Sequence, residues 1–159
     1  MKLALIAFTA ACAATPAAAQ VMTPMDYVKT AGASDLYERE SARLVLETTR
    51  NPAVRDFASM MVDAHSKSRA DVKAAARRAR VAVAPAMLTP AQAEMIAQLR
   101  AEQGEARDAV YIAQQRAAHG QALTVQQAYA AAGTAPALRA VALRIVPVVQ
   151  DHIMMLMRM

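Results

Sequence analysis

Four times in this chain a small polar residue stands just ahead of a proline that opens a helical pattern: Thr23-Pro24, Asn51-Pro52, Thr89-Pro90 and Thr134-Ala135-Pro136. Proline is tolerated in the first turn of a helix, where the amide it lacks would have no partner, and a side-chain oxygen ahead of it accepts from the orphan amides. Asp26 and Gln92 stand three residues after Thr23 and Thr89, the spacing of a capping box. Between these starts alanine is abundant, there are only four glycines, and β-branched runs are short, which favours helix over strand throughout. The expected fold is therefore all-α, with segments over 24–50, 52–80, 90–132 and 136–158. The third is far longer than its neighbours and should break near Gln103-Gly104 into a short helix and a long one starting near Glu105, making a four-helix bundle with an extra short helix. Gly32 is a second weak point, and the proline-containing stretch 81–88 should cross the end of the bundle.

Apolar residues at three-and-four spacing give each helix a face. In the second segment the stripe is Val54, Phe57, Ala58, Met61, His65, Ser68, Val72 and Ala76, with Asp63 pointing away. After Gly104 it is Asp108, Tyr111, Ile112, Gln115, His119, Ala122 and Leu123, and in the last segment Leu138, Val141, Ala142, Ile145, Val149, His152 and Leu156. The first segment reads Ala33, Leu36, Tyr37, Glu40 and Leu44, which puts the Glu40 carboxylate on a face expected to be buried and Glu38 well around the helix from it. Pro147 removes a backbone donor mid-helix and is expected to kink the last helix just before His152.

Residues 1–19 read as an export signal: Lys2, an apolar run over 3–14, then Ala17-Ala18-Ala19 before Gln20, with small residues three and one before the cut. The mature domain is then 20–159, in the periplasm. An alternative acylates Cys12 after Thr9-Ala10-Ala11. Cys12 is the only cysteine, so an exported chain has no disulfide to form. No later stretch approaches the roughly 18 apolar residues of a spanning helix, so the mature chain is expected to be soluble or peripheral. Lys and Arg outnumber Asp and Glu by 18 to 13. With no Trp and little Phe or Tyr, base-stacking platforms are absent, and nucleic acid is not an expected partner. An anionic envelope surface or an envelope protein is. Lys73, Arg77, Arg78 and Arg80 complement the dipole at the end of the second helix.

All three histidines fall in apolar stripes, on three different helices, and at comparable depth. His65 is 14 residues after Asn51 and 15 before Arg80, while His119 is 14 residues from both Glu105 and Gly133. Folding the first helix back on the second brings Glu38 and Glu40 within about a turn of His65, and His152 lies about one turn off the level of His119. His65, His119 and His152 with Glu38 or Glu40 form a candidate site for one transition metal ion, Zn, Cu or mononuclear Fe. Di-iron bundles need Glu three residues ahead of His on two helices, and here Val62, Arg116 and Val149 stand at those positions. The competing reading is an envelope structural or interaction protein whose histidines only pack, in a buried polar network stable without an ion. The eleven methionines, four of them between His152 and Met159, either offer thioethers to Cu(I) or fill irregular gaps in the core. No serine lies in a glycine elbow and no loop is built to cradle phosphate, so an enzyme ranks last.

The run Asn51-Pro52-Ala53-Val54-Arg55-Asp56-Phe57-Ala58 into Met60-Met61-Val62-Asp63-Ala64-His65, then Asp108-x-x-Tyr111 with His119 eight residues on, then Pro147 with His152, resembles the exported bacterial family called domain of unknown function 4142. The resemblance spans about Tyr27 to Met157. It implies a ferritin-like bundle and export, and no reaction. Glu38, His65, Asp108, Tyr111, His119, Pro147 and His152 match polar or turn positions of the family pattern. Two positions depart from it. Ala64 stands where the family usually has Asp directly before the histidine, and Arg107 where it usually has Phe. The missing Asp removes a carboxylate that would serve as a ligand or orient His65.

Overall fold

The computed structural model describes residues 22–159, so the export signal and Cys12 lie outside the described residues. Five helices follow in order: α1 Pro24–Thr48, α2 Pro52–Arg78, α3 Pro90–Ala101, α4 Gly104–Ala132 and α5 Pro136–Leu156. Three of the four proline starts are capped as the sequence suggests. Thr23 Oγ1 accepts from the Asp26 amide, Asn51 Oδ1 from Ala53, and Thr89 and Gln92 form a reciprocal capping box at 3.2 and 2.9 Å. The fourth differs: the residue ahead of α5 is Ala135, with no side-chain cap, and Thr134 does not serve. The break falls at Gln103, where Gly104 opens α4 at φ +56° and donates its amide to Thr48 Oγ1. Glycine reaches that conformation without a Cβ clash. Gly32 does not break α1; it lies where an added Cβ would meet the Arg69 guanidinium.

α1 packs along α2 and α4 along α5, and the two hairpins close through α1 on α4 and α2 on α5. One end of the bundle is an apolar cluster that joins the start of α1 and the end of α2 to the end of α4 and the start of α5, through Tyr27, Val72, Tyr129 and Leu138. The other joins Val45, Val54, Phe57, Met61, Tyr111 and Leu156. The four long helices therefore run up, down, down, up. Because α2 and α4 point the same way, the chain must return the length of the bundle between them. Residues 81–89 and α3 make that return along the flank rather than across the end: Arg69 donates to the Ala84 carbonyl, Ala86 lies beside Gly32, and Ile96 and Leu99 enter the far cluster.

The stripes of α2 and α5 hold, with Asp63 exposed; the α4 stripe holds at Asp108, Tyr111, Gln115 and His119, whereas Ile112, Ala122 and Leu123 are half-buried and Arg107, Gln114, Gln126 and Tyr129 are buried as well. That of α1 is rotated. Its buried residues are Tyr27, Val28, Ala31, Gly32, Asp35, Glu38, Ala42 and Val45, with Ala33, Tyr37 and Ser41, whereas Leu36, Glu40 and Leu44 are half-buried. α5 runs through Pro147 as one uninterrupted helix. The methionines divide: Met61 is buried and Met22, Met60, Met95 and Met159 pack against the apolar clusters, whereas Met25, Met87, Met154, Met155 and Met157 are exposed.

Candidate metal centre

Between the two apolar clusters lies a polar layer to which all four long helices contribute. α1 supplies Asp35, Glu38 and Ser41, α2 His65 and Ser68, α4 Gln115 and His119, and α5 His152. All but Ser68 are buried. One nitrogen from each of His65, His119 and His152 can be chosen so that all three lie within 4.8 Å of one another. The ring centroids stand 5.3 to 5.9 Å apart, and Phe57 closes the group from the far cluster, 6.3 Å from His119 and 6.4 Å from His152.

Hydrogen bonds fix which nitrogens are free. A backbone carbonyl only accepts, so His119 donates from Nδ1 to the Gln115 carbonyl at 3.0 Å and keeps a lone pair on Nε2. His152 Nδ1 meets that lone pair at 3.2 Å and donates to it. His65 donates from Nδ1 to Asp35 Oδ1 at 3.0 Å, while Ser68 holds Oδ2 at 3.2 Å. His65 Nε2 is buried without a partner. A carboxylate or carbonyl on one ring nitrogen, with the other left bare, is the arrangement that orients imidazole as a metal ligand. Tetrahedral zinc, with Zn–N about 2.0–2.1 Å, sets its donors about 3.3 Å apart, so the edge from His119 Nε2 to His152 Nδ1, at 3.2 Å, has the right length once His152 moves its proton to Nε2. His65 must close by up to about 1.5 Å to complete the face.

Electrostatics favours neutral donors at His119 and His152. Burial, helped by the charge on His65, pushes His119 down to about 3 and His152 down to about 4, so both keep their lone pairs at neutral pH. For His65 burial also acts downward, but the Asp35 hydrogen bond and the Glu38 and Asp35 charges outweigh it and raise its pKa. Burial pushes Glu38 up to about 7 against the opposing pull of His65.

The five residues singled out from sequence thus separate. The three histidines converge, including His152, which reaches His119 directly. Glu38 is next to them: Oε1 stands 3.7 Å from His119 Nδ1, behind that ring's donor face, and Oε2 is buried without a partner. Glu40 is not brought in. Two residues along a helix is about 200° of rotation, so once Glu38 faces the core Glu40 must face away. Asp35 was missed; it is one turn before Glu38, on the face set by Tyr27, Ala31, Ala42 and Val45, and anchoring the stripe on those residues exposes it. It supplies from α1 the carboxylate that Ala64 lacks on α2. Asp108 and Tyr111 lie outside the site. Asp108 accepts from Thr49 at 2.8 Å, and Arg107 ties the start of α4 to the Leu44 carbonyl and to Glu47.

A family model described as domain of unknown function, DUF4142, matches residues 9–159. The chain belongs to this family. No curated protein matches it. Among solved structures, the DUF305 fragment from Deinococcus radiodurans superimposes with a TM-score of 0.72 at 16% identity, over 84% of this chain and 91% of that one. At that identity the likeness extends to the helical fold alone. No helix of the described residues is long and apolar enough to cross a membrane.

Proposed function

We propose that this DUF4142 protein is an exported, periplasmic bundle that binds one transition metal ion, Zn(II) or Cu(II) before Fe, through His65, His119 and His152. Asp35 orients His65, and Glu38 compensates charge beside His119. The observation that carries the reading is the bare, buried His65 Nε2 beside two imidazoles held neutral. A layer that served only to pack would gain nothing from leaving that atom unpartnered, since an unmet buried polar group costs about 1–3 kcal/mol. Export rests on the signal pattern of residues 1–19, and the exposed Arg77, Arg78 and Arg80 suit contact with an anionic envelope surface.

Zn(II) titrated calorimetrically into tag-free protein should bind one ion per chain. His65→Ala, His119→Ala and His152→Ala should each weaken binding by about tenfold or more while the helical signal stays. Equal, weak binding by parent and variants makes the layer structural and favours an interaction protein. Intact mass of periplasmic chain should begin at Gln20; a product beginning at acylated Cys12 overturns cleavage after Ala19.

A further inference from the structure

A cavity of ≈ 240 Å³ lies between α2 and α5, with His65 and His152 among its lining residues. Its walls are aliphatic, from Ala64 on α2 and from Val141, Ile145, Val148 and Val149 on α5. The polar groups near it are cationic on balance: Arg144 is exposed, and Lys67 is paired with Asp71 at 2.6 Å. Among the described residues the group of converging donors holds three histidines and no carboxylate. Three protein nitrogens leave one position of a tetrahedral ion unfilled, which is the pattern of sites that take an exogenous ligand rather than of closed structural sites. His65, 8% exposed with Nε2 unpartnered, is the buried polar side chain that faces both the ion's position and this space.

Resting on the metal reading above, we infer that the α2–α5 cavity admits a small organic carboxylate with an apolar body, whose carboxylate oxygen occupies the fourth position on the ion in place of water. Each part of such a ligand has a counterpart. Its charge matches a divalent ion held by neutral imidazoles, its body matches the Val and Ile wall, and the Arg144 side favours the approach of an anion. Size agrees as well, because an apolar cavity of about 150 Å³ already holds benzene. A larger or strongly polar molecule is excluded by the aliphatic lining. Phosphate fits the charge but leaves the walls uncovered.

The test uses the full chain loaded with Co(II), whose visible spectrum reports coordination, and benzoate as the probe. Metal analysis first fixes the Co(II) content. Benzoate should then change the d–d bands saturably, and its proton resonances should broaden with the paramagnetic ion. Ala64→Trp, which fills the cavity from α2, should retain Co(II) and weaken benzoate by about tenfold or more. Val148→Phe, from the partly exposed rim of the opposite wall, should do the same should Ala64→Trp fail to fold. Phosphate should leave the bands unchanged. Co(II) retained with bands indifferent to benzoate overturns the inference and leaves the metal reading standing, as does benzoate binding equally to parent and both variants. Failure to take up Co(II) at all overturns both.

Discussion

The Tyr27–Tyr129 end of the bundle and the histidine layer in its middle are built from the same four helices in opposite ways. At the end, Tyr27 stacks on Tyr129 at 3.9 Å, its hydroxyl donates to Gln126 at 2.7 Å, and Val72, Ala76 and Leu138 fill the space around them. In the middle, Asp35, Glu38, His65, His119 and His152 are placed where aliphatic side chains would pack better. Orphan atoms occur in both the apolar clusters and the layer, but those of Tyr111 and Tyr129 are isolated hydroxyls, whereas His65, whose Nε2 is unpartnered, is one of three histidines whose nitrogens converge. The contrast teaches that apolar packing resides in the ends, and that the middle gives up packing for a buried polar layer, as the proposed metal centre would require.

The largest effect should come from charging an end. Val72→Asp buries an unpaired carboxylate and should cost about 3–5 kcal/mol, a large share of an ordinary domain's stability, seen as a marked fall in the midpoints of thermal and urea melts followed by far-UV circular dichroism. The opposite change in the middle should act in reverse. Asp35→Leu with His65→Leu replaces a buried pair by apolar volume and should leave stability unchanged or raise it by about 1–4 kcal/mol, while abolishing metal uptake. A fall of similar size would make the layer part of the packing.

Acid should act on the middle. His119 and His152, held at about 3 and 4, take up protons only when the chain unfolds, so their contribution is full above the unfolded value of about 6.5 and is lost as pH falls. Glu38, at about 7, works the other way between pH 7 and its ordinary 4.5, because the folded state holds the extra proton. Two protons against one leave a net loss of about 1.4 kcal/mol per pH unit between about pH 6.5 and 4.5. Glu38→Gln removes the opposing group and should steepen that slope in pH-resolved melts; an unchanged slope means Glu38 does not titrate there. Because the pKa of His65 is raised, zinc binding should release a proton and weaken as pH falls, starting above the ordinary histidine range.

The smallest effect is a backbone one. Arg80 closes α2 at φ 56°, with its amide on Arg77 and that of Val81 on Ala76, the hydrogen bonds of a Schellman cap that glycine usually forms. Arg80→Gly should stabilise by about 1 kcal/mol, and no gain in the melting midpoint would refute the strain.

How much of this was legible follows from contrast along each helix. α2 alternates Val, Phe and Met with charged residues, so its stripe, its histidine and the outward Asp63 could be read directly. α1 is covered by α2 on one side and by α3 and α4 on another, and its alanines carry little signal, so Leu36 and Leu44 drew the stripe about 150° around the helix from Asp35 and Glu38. Depth was readable by counting residues, since midpoints meet whichever way helices run. The path of residues 81–89 was not. Its direction depends on α4 lying parallel to α2, which no local pattern encodes. Nor could Thr134 be distinguished from the other capping residues, because the proline follows it by two residues and the cap position falls on Ala135.

X-ray absorption at the zinc edge, on tag-free chain loaded with one ion, tests the central claim most directly. The account predicts three imidazole nitrogens at about 2.0–2.1 Å and one further light donor, with one imidazole lost in each of His65→Ala, His119→Ala and His152→Ala. Sulfur at about 2.3 Å, which would point to the exposed methionines of the last turn, or a shell with fewer than two imidazoles, would contradict it.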